Sequence, residues 1–187
     1  MKTLRKAVLL CSLLLALAAL GVFWGWDYWL DHSQDAPIRA AALRYGVEPA
    51  LVKAVVWRES RFHPRVRGRA EEIGLMQIRE EAAREWAEAE HIDNFQHELC
   101  FNPATNTLAG TWYLKKLLKR YAYTDNPLPF ALADYNAGRG NVLKWLKGPG
   151  ATNGEIFASQ IGFRTTREYV RAVTNRYAHY RPIFTAK

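Results

Sequence analysis

Cysteine is nearly missing from this sequence: Cys11 and Cys100 are the two in 187 residues. Cys11 lies inside an apolar N-terminal run, so the rest of the chain has a single thiol and no internal disulfide. Spacing speaks against a zinc site. His91, His97 and Cys100 stand near one another but match no zinc pattern, so they are read as a surface loop with no metal expected. Internal repeats, low-complexity tracts, a phosphate loop and a Ser-His-Asp arrangement are likewise absent. No convincing run alternates apolar and polar residues, so a sheet-based fold is not expected. Acid is absent from residues 1–6, which carry Lys2, Arg5 and Lys6.

Beyond those bases, residues 7–26 form an uncharged, almost wholly apolar run. A helix of that length spans about 30 Å, the thickness of a bilayer's hydrocarbon core. Trp24, Trp26, Tyr28 and Trp29 stand where an interfacial aromatic belt belongs, and the leading bases predict a cytoplasmic N-terminus. The expected organisation is a cytoplasmic segment 1–6, a transmembrane anchor 7–29, and one exported domain 30–187. A cleaved signal peptide, releasing the domain to the periplasm, is the alternative. Ala16, Ala18 and Ala19 would permit cleavage, but signal cores are only about 7–15 residues long and this run continues to Trp26. A lipoprotein signal at Cys11 is set aside because bulky Leu10 precedes it. Lys and Arg outnumber Asp and Glu by 26 to 18, a net charge of +8. Such a surface attracts polyanions of any kind. In an exported domain without a recognition-helix motif, nucleic acid is not an expected partner.

The exported part reads as helices joined by short loops, mainly α. Asp35 and Pro37 open a helix that Gly46 closes, and Pro49 starts the next, through residues 50–62 and stopped before Pro64. A basic loop (Arg65, Arg67, Arg69 around Gly68) precedes residues 74–78 and a helical stretch to about Glu90. Asn102-Pro103 is an N-cap and first-turn pair for a long helix to Tyr121, with Leu114, Leu117, Leu118 and Tyr121 as its buried stripe. Pro127 and Pro129 introduce a helix ending at Gly138 and Gly140, and 147–154 is a loop by composition. The last helix is expected to start at a Thr165–Glu168 capping box and to bury Val170, Val173, Tyr177 and Tyr180.

Val52, Val55, Val56 and Glu59 fall at i, i+3, i+4 and i+7, placing one carboxylate on a core-facing stripe near a helix C-terminus. Burial and the negative end of the helix dipole both disfavour ionisation, so its pKa should rise and it could donate a proton. By periodicity alone, a structural pairing with Arg58 or Arg61 is equally open.

Three segments then occur in order: Glu59-Ser60-Arg61-Phe62, Gly74-Leu75-Met76-Gln77-Ile78 and Tyr135-Asn136-Ala137-Gly138. Asn102-Pro103 and Thr166-Arg167-Glu168-Tyr169-Val170 support them. Together they resemble the soluble lytic transglycosylase (SLT, goose-lysozyme-like) family over about residues 36–180. The resemblance implies a lysozyme-like catalytic domain that cleaves the β-1,4 bond between N-acetylmuramic acid and N-acetylglucosamine and leaves a 1,6-anhydro product. It implies Glu59 as the single catalytic acid/base. Gln77 would bind substrate, Tyr135 would sit near the reacting centre, Asn136 would bind sugar, and Tyr169 would line the cleft. Peptidoglycan strands are the implied partner, with the inner membrane as a second through the N-terminal helix, and no cofactor is implied.

The chain departs from the family pattern in several places. Gly68 aligns with a serine usually found near the acid, Glu71-Glu72 with a Gly-Ala pair, Arg79-Glu80 with Met-Pro, and Thr165 with a glutamate. A hydrolytic muramidase on the same fold would need a second carboxylate, for which Glu71, Glu72, Asp93 and Asp134 are available. A non-catalytic wall-binding scaffold is the rival from another class.

Overall fold

Short-range punctuation sets most helix ends. The structure is a computed structural model that describes the backbone of residues 2–185, with side chains at 10, 13–26 and 28–185. The side chains of Lys2, Arg5, Lys6 and Cys11, on which the topology and lipoprotein readings drew, lie outside the described residues. Helix α1 (Lys2–His32) is continuous and carries its apolar side chains outward, Leu15 71% and Val22 74% exposed. Among the described residues one N-terminal helix is long and apolar enough to cross a membrane.

After it come α2 (Asp35–Tyr45), α3 (Pro49–Ser60), α4 (Glu80–Ala89), α5 (Pro103–Arg120) and α6 (Pro127–Ala137). The chain ends with α7 (Arg139–Trp145), α8 (Gly154–Gln160) and α9 (Arg164–Tyr180). Among the described residues there is no sheet, only isolated bridges pairing Arg67 with Ile73 and Ile73 with Ile78. Gly46 closes α2 in the left-handed conformation at φ 61°, and Pro49 takes the first turn of α3. Asn102 caps α5, its side chain accepting from the amides of Ala104 (2.9 Å) and Thr105 (3.3 Å).

Helix α3 is buried on every side rather than along one stripe: Ala50, Leu51, Val52, Lys53, Ala54, Val55 and Val56 are all inside. It is the central element, packed against α2 and α9, while α5 lies against α2, α4 and α6, and α6 against α8 and α9. A helix enclosed all round loses the amphipathic signature that periodicity relies on. Lys53 is inside because its ammonium reaches Asp35 (2.7 Å) and Asp31 (3.2 Å), which ties the end of α1 to the core.

Several sequence expectations need adjustment. His97 and Cys100 are buried rather than part of a surface loop, because they pack beneath the 73–78 turn, where His97 bonds the Ile78 carbonyl at 2.9 Å. Leu118 and Tyr177 are half-buried. Helix α3 stops at Ser60, two residues early, because Arg61 (φ 51°) and Phe62 (φ 65°) turn left-handed to bury the Phe62 ring. Gly140 does not end a helix but lies within α7. Residues 147–154 are not all loop. Asn153 caps α8 by accepting from the Ile156 amide, and Phe157 stacks on Phe130 at 4.1 Å. The Thr165–Glu168 box does not form, because Phe163, packed edge-on against Trp145, is the N-cap of α9 and Glu168 pairs with Arg164.

The buried apolar residues form two clusters. The larger joins α2, α3, α5, α6, α7, α8 and α9. The smaller gathers Ile73, Ile78, Trp86, Ala87, Phe95 and Cys100 around α4 and the loop before it.

Candidate active site

A cleft of about 180 Å³ lies between residues packed on these two clusters. Glu59 enters it from the last turn of α3, Glu72, Gln77, Ile78 and Arg79 from the 61–79 loop, and Tyr113 from α5. Residues 134–138, at the end of α6, supply the opposite lining, including Tyr135 and Asn136.

The Glu59 carboxyl is half-buried, and Oε1 accepts a 2.6 Å hydrogen bond from the Tyr169 hydroxyl. Burial pushes its pKa up to about 7, since low-dielectric surroundings disfavour the charged form; the Tyr169 bond and Arg58 pull the other way, and Glu72 adds to the rise. Arg58 and Arg61 lie over the rings of Tyr169 (5.4 Å) and Trp57 (3.7 Å). Burial and the Glu59 charge hold the phenols of Tyr135 and Tyr169 well above their usual range, so both stay hydrogen-bond donors.

Of the residues singled out from sequence, Glu59, Gln77, Tyr135 and Asn136 share this cleft. Tyr169 is placed differently from the expectation that it lines the wall. It is 1% exposed and stands behind Glu59, because its ring completes the α3–α9 packing. Gln77 uses its amide nitrogen on the carbonyls of Gly74 (2.9 Å) and Val66 (3.1 Å), holding the loop in shape. Tyr135 donates to the Met76 carbonyl at 2.8 Å, and Asn136 accepts from the Thr166 hydroxyl at 2.9 Å. Met76 is fully buried, as a core residue.

Asn106 is a site residue that sequence reasoning missed. Its Oδ1 accepts from the Met76 amide (2.7 Å), and its Nδ2 donates to the carbonyls of Ile73 (2.9 Å) and Cys100 (2.8 Å). It thereby holds the 73–76 turn from within α5, and Gly74, at φ 76°, passes too close to it for any side chain. Its helical spacing from Ala109, Gly110 and Tyr113, which puts a polar residue on their face of α5, was the available signal. Tyr113 was also missed; its ring lies 5.7 Å from that of Tyr135.

Among the candidate second carboxylates, Glu71 is exposed and paired with Arg67, and Asp93 is exposed away from the cleft. Asp134 reaches the cleft but is bound by Arg120 (2.6 Å) and the Tyr121 hydroxyl (2.7 Å). Glu72 lines the cleft beside Glu59. None of Arg65, Arg67 and Arg69 lines it.

The family model of the transglycosylase SLT domain matches residues 36–158. This chain belongs to that family. The SLT match takes in Glu59, Gln77, Tyr135 and Asn136 and stops short of Tyr169. Over 163 residues the chain is 31% identical to a putative soluble lytic murein transglycosylase of Haemophilus influenzae, covering 85% of this chain and 27% of that protein. It is 33% identical over 119 residues to membrane-bound lytic murein transglycosylase C of Klebsiella pneumoniae, covering 60% of this chain and 33% of that one. The structure of an inactive glutamate-to-glutamine mutant of lytic transglycosylase Slt from Pseudomonas aeruginosa superposes with a TM-score of 0.70. That match has 26% identity and covers 78% of this chain and 23% of the other. This SLT protein thus spans about a quarter to a third of the relatives it matches.

Proposed function

We propose that this SLT domain is a peptidoglycan lytic transglycosylase held at the inner membrane by α1. The observation that carries the reading is a half-buried carboxyl, Glu59, kept protonable near neutral pH in a polar cleft. Protonated Glu59 gives its proton to the oxygen linking N-acetylmuramic acid to N-acetylglucosamine. The bond to that oxygen breaks, and the muramyl C1 becomes positive, stabilised by the sugar's own N-acetyl group. The Glu59 carboxylate then takes the proton of the C6 hydroxyl, and O6 closes onto C1 as the 1,6-anhydro ring. No water is consumed, and Glu59 ends as it began.

Gln77, Tyr135 and Asn136 hold the sugar, and Tyr169 positions Glu59 through its hydrogen bond. That a glutamate-to-glutamine mutant of a structural neighbour is inactive supports the role given to Glu59. Helix α1, of which residues 7–29 form the membrane span, and the membrane-bound relative support an anchored protein with residues 30–187 in the periplasm.

The test is mass spectrometry of the products formed from purified peptidoglycan by the full-length chain in detergent, with Glu59→Gln alongside. Muropeptides one water lighter than hydrolysis products, absent with the variant, are expected. Full-mass reducing ends would make the protein a muramidase, and no products from either protein would favour a binding scaffold.

A further inference from the structure

Glu72 folds its side chain against Gly68 in the loop that lines the cleft. The loop carrying it is a tight turn: the Gly68 amide donates to the Glu72 carbonyl at 2.7 Å, and Gly74 donates to the Val66 carbonyl at 2.9 Å. Within the turn the Glu72 side chain folds back, and Oε2 accepts from the Ala70 amide at 2.8 Å. Its carboxyl rests directly on Gly68, where even a Cβ would collide with Cδ and Oε1. That carboxylate lines the same cleft as Glu59.

On this basis, and resting on the glycan-cleaving reading above, we propose that Glu72 is a working second acid of the cleft. Its negative charge acts on Glu59 and on the positive charge that develops at the sugar. The charged and titratable groups around Glu59 are Arg58 on its own helix, Tyr169 on α9, Tyr135 on α6 and Glu72 on the loop; Arg79, Tyr113 and Asp134, the last bound by Arg120, line the same cleft. Glu72 is the one carboxylate among the four whose charge opposes ionisation of Glu59. Negative charge preset where a cation develops lowers the barrier without reorganisation during the reaction.

The test measures kcat, KM and pH dependence for the full-length chain, Glu72→Gln, Gly68→Ala and the double variant. Glu72→Gln is expected to lower kcat about tenfold, to leave KM within about twofold, and to move the basic limb of the profile to lower pH. Gly68→Ala displaces the carboxylate and should change kcat in the same direction. The double variant should be no slower than Glu72→Gln, since residues in contact are not additive. Unchanged kcat and limb, a change in KM alone, or additive losses would each overturn the proposal. So would a wild type whose reducing-end products vanish in Glu72→Gln while anhydro products remain, because Glu72 would then be a base for water. If Gly68→Ala does not fold, the isosteric Glu72→Gln decides alone. Failure of the underlying reading is separate: it shows as wild type without anhydro products, or as an active Glu59→Gln.

Discussion

In the proposed reaction Glu59 must be stable both with and without its proton, because the two halves use it as acid and then as base. Burial favours the protonated form, and the 2.6 Å bond from Tyr169 rescues the ionised one. Tyr169→Phe removes that rescue. Its expected effect is a basic limb displaced to higher pH and kcat lowered about tenfold, the scale of one hydrogen bond to a charged group. The same burial links Glu59 to stability. Below pH 4.5, the ordinary value, folded and unfolded chains both hold the proton. From there to about 7 only the folded chain does, so stability falls with rising pH and levels off above 7. The loss is about 3 kcal/mol. Glu59→Gln should show no such slope, so thermal melts at pH 5 and pH 7.5 should differ less for the variant than for wild type.

At the scale of elements, the loop between α3 and α4 does most to build the site. It contributes four cleft residues, is pinned from behind by Asn106 and braced by Gln77. Its turn runs through Glu71 at φ 61°, a left-handed position that favours glycine. A non-glycine residue there costs about 1 kcal/mol, while its ion pair with Arg67 is exposed and contributes little. Glu71→Gly should therefore raise stability by about 0.5 kcal/mol, strain relief exceeding the added freedom of the unfolded chain. Chemical denaturation of the two proteins side by side checks this, and a destabilised variant would mean that the Arg67 pair matters more than its exposure suggests.

For the whole molecule, the joint between α1 and the helices that follow is a charge cluster centred on buried Lys53. Lys53 is 2% exposed and holds Asp31 and Asp35, and Asp31 also receives the Tyr180 hydroxyl from α9. Removing the cation leaves two neighbouring carboxylates without it, and breaking such a pair is costly. Lys53→Met should lower stability by about 2–3 kcal/mol, less than for a fully buried pair because both aspartates are about a quarter exposed. It should also speed proteolytic cleavage near Ser33, where α1 meets α2. Limited proteolysis with melting curves reads both effects. Since Lys53 does not line the cleft, activity per folded molecule should be retained.

Much of this was legible locally. Gly46, Pro49, Asn102-Pro103 and Pro127 mark helix boundaries because capping and backbone sterics act over only a few residues. Glu59, Gln77, Tyr135 and Asn136 were found through short segments whose order and spacing survive in the chain. Other features depended on contacts between distant positions. Helix α8 hides in a Gly-, Pro- and Asn-rich stretch and is held by Phe157 stacking on Phe130. Asn106 reaches a turn 30 residues back, and the Thr165–Glu168 box loses to the Phe163–Trp145 contact. By itself, then, the sequence determined a helical domain behind an apolar N-terminal run and singled out Glu59. Tertiary structure alone decided that α3 is enclosed, that Tyr169 stands behind Glu59 and that Glu72 stands beside it, because burial and electrostatic approach arise only when remote segments pack together.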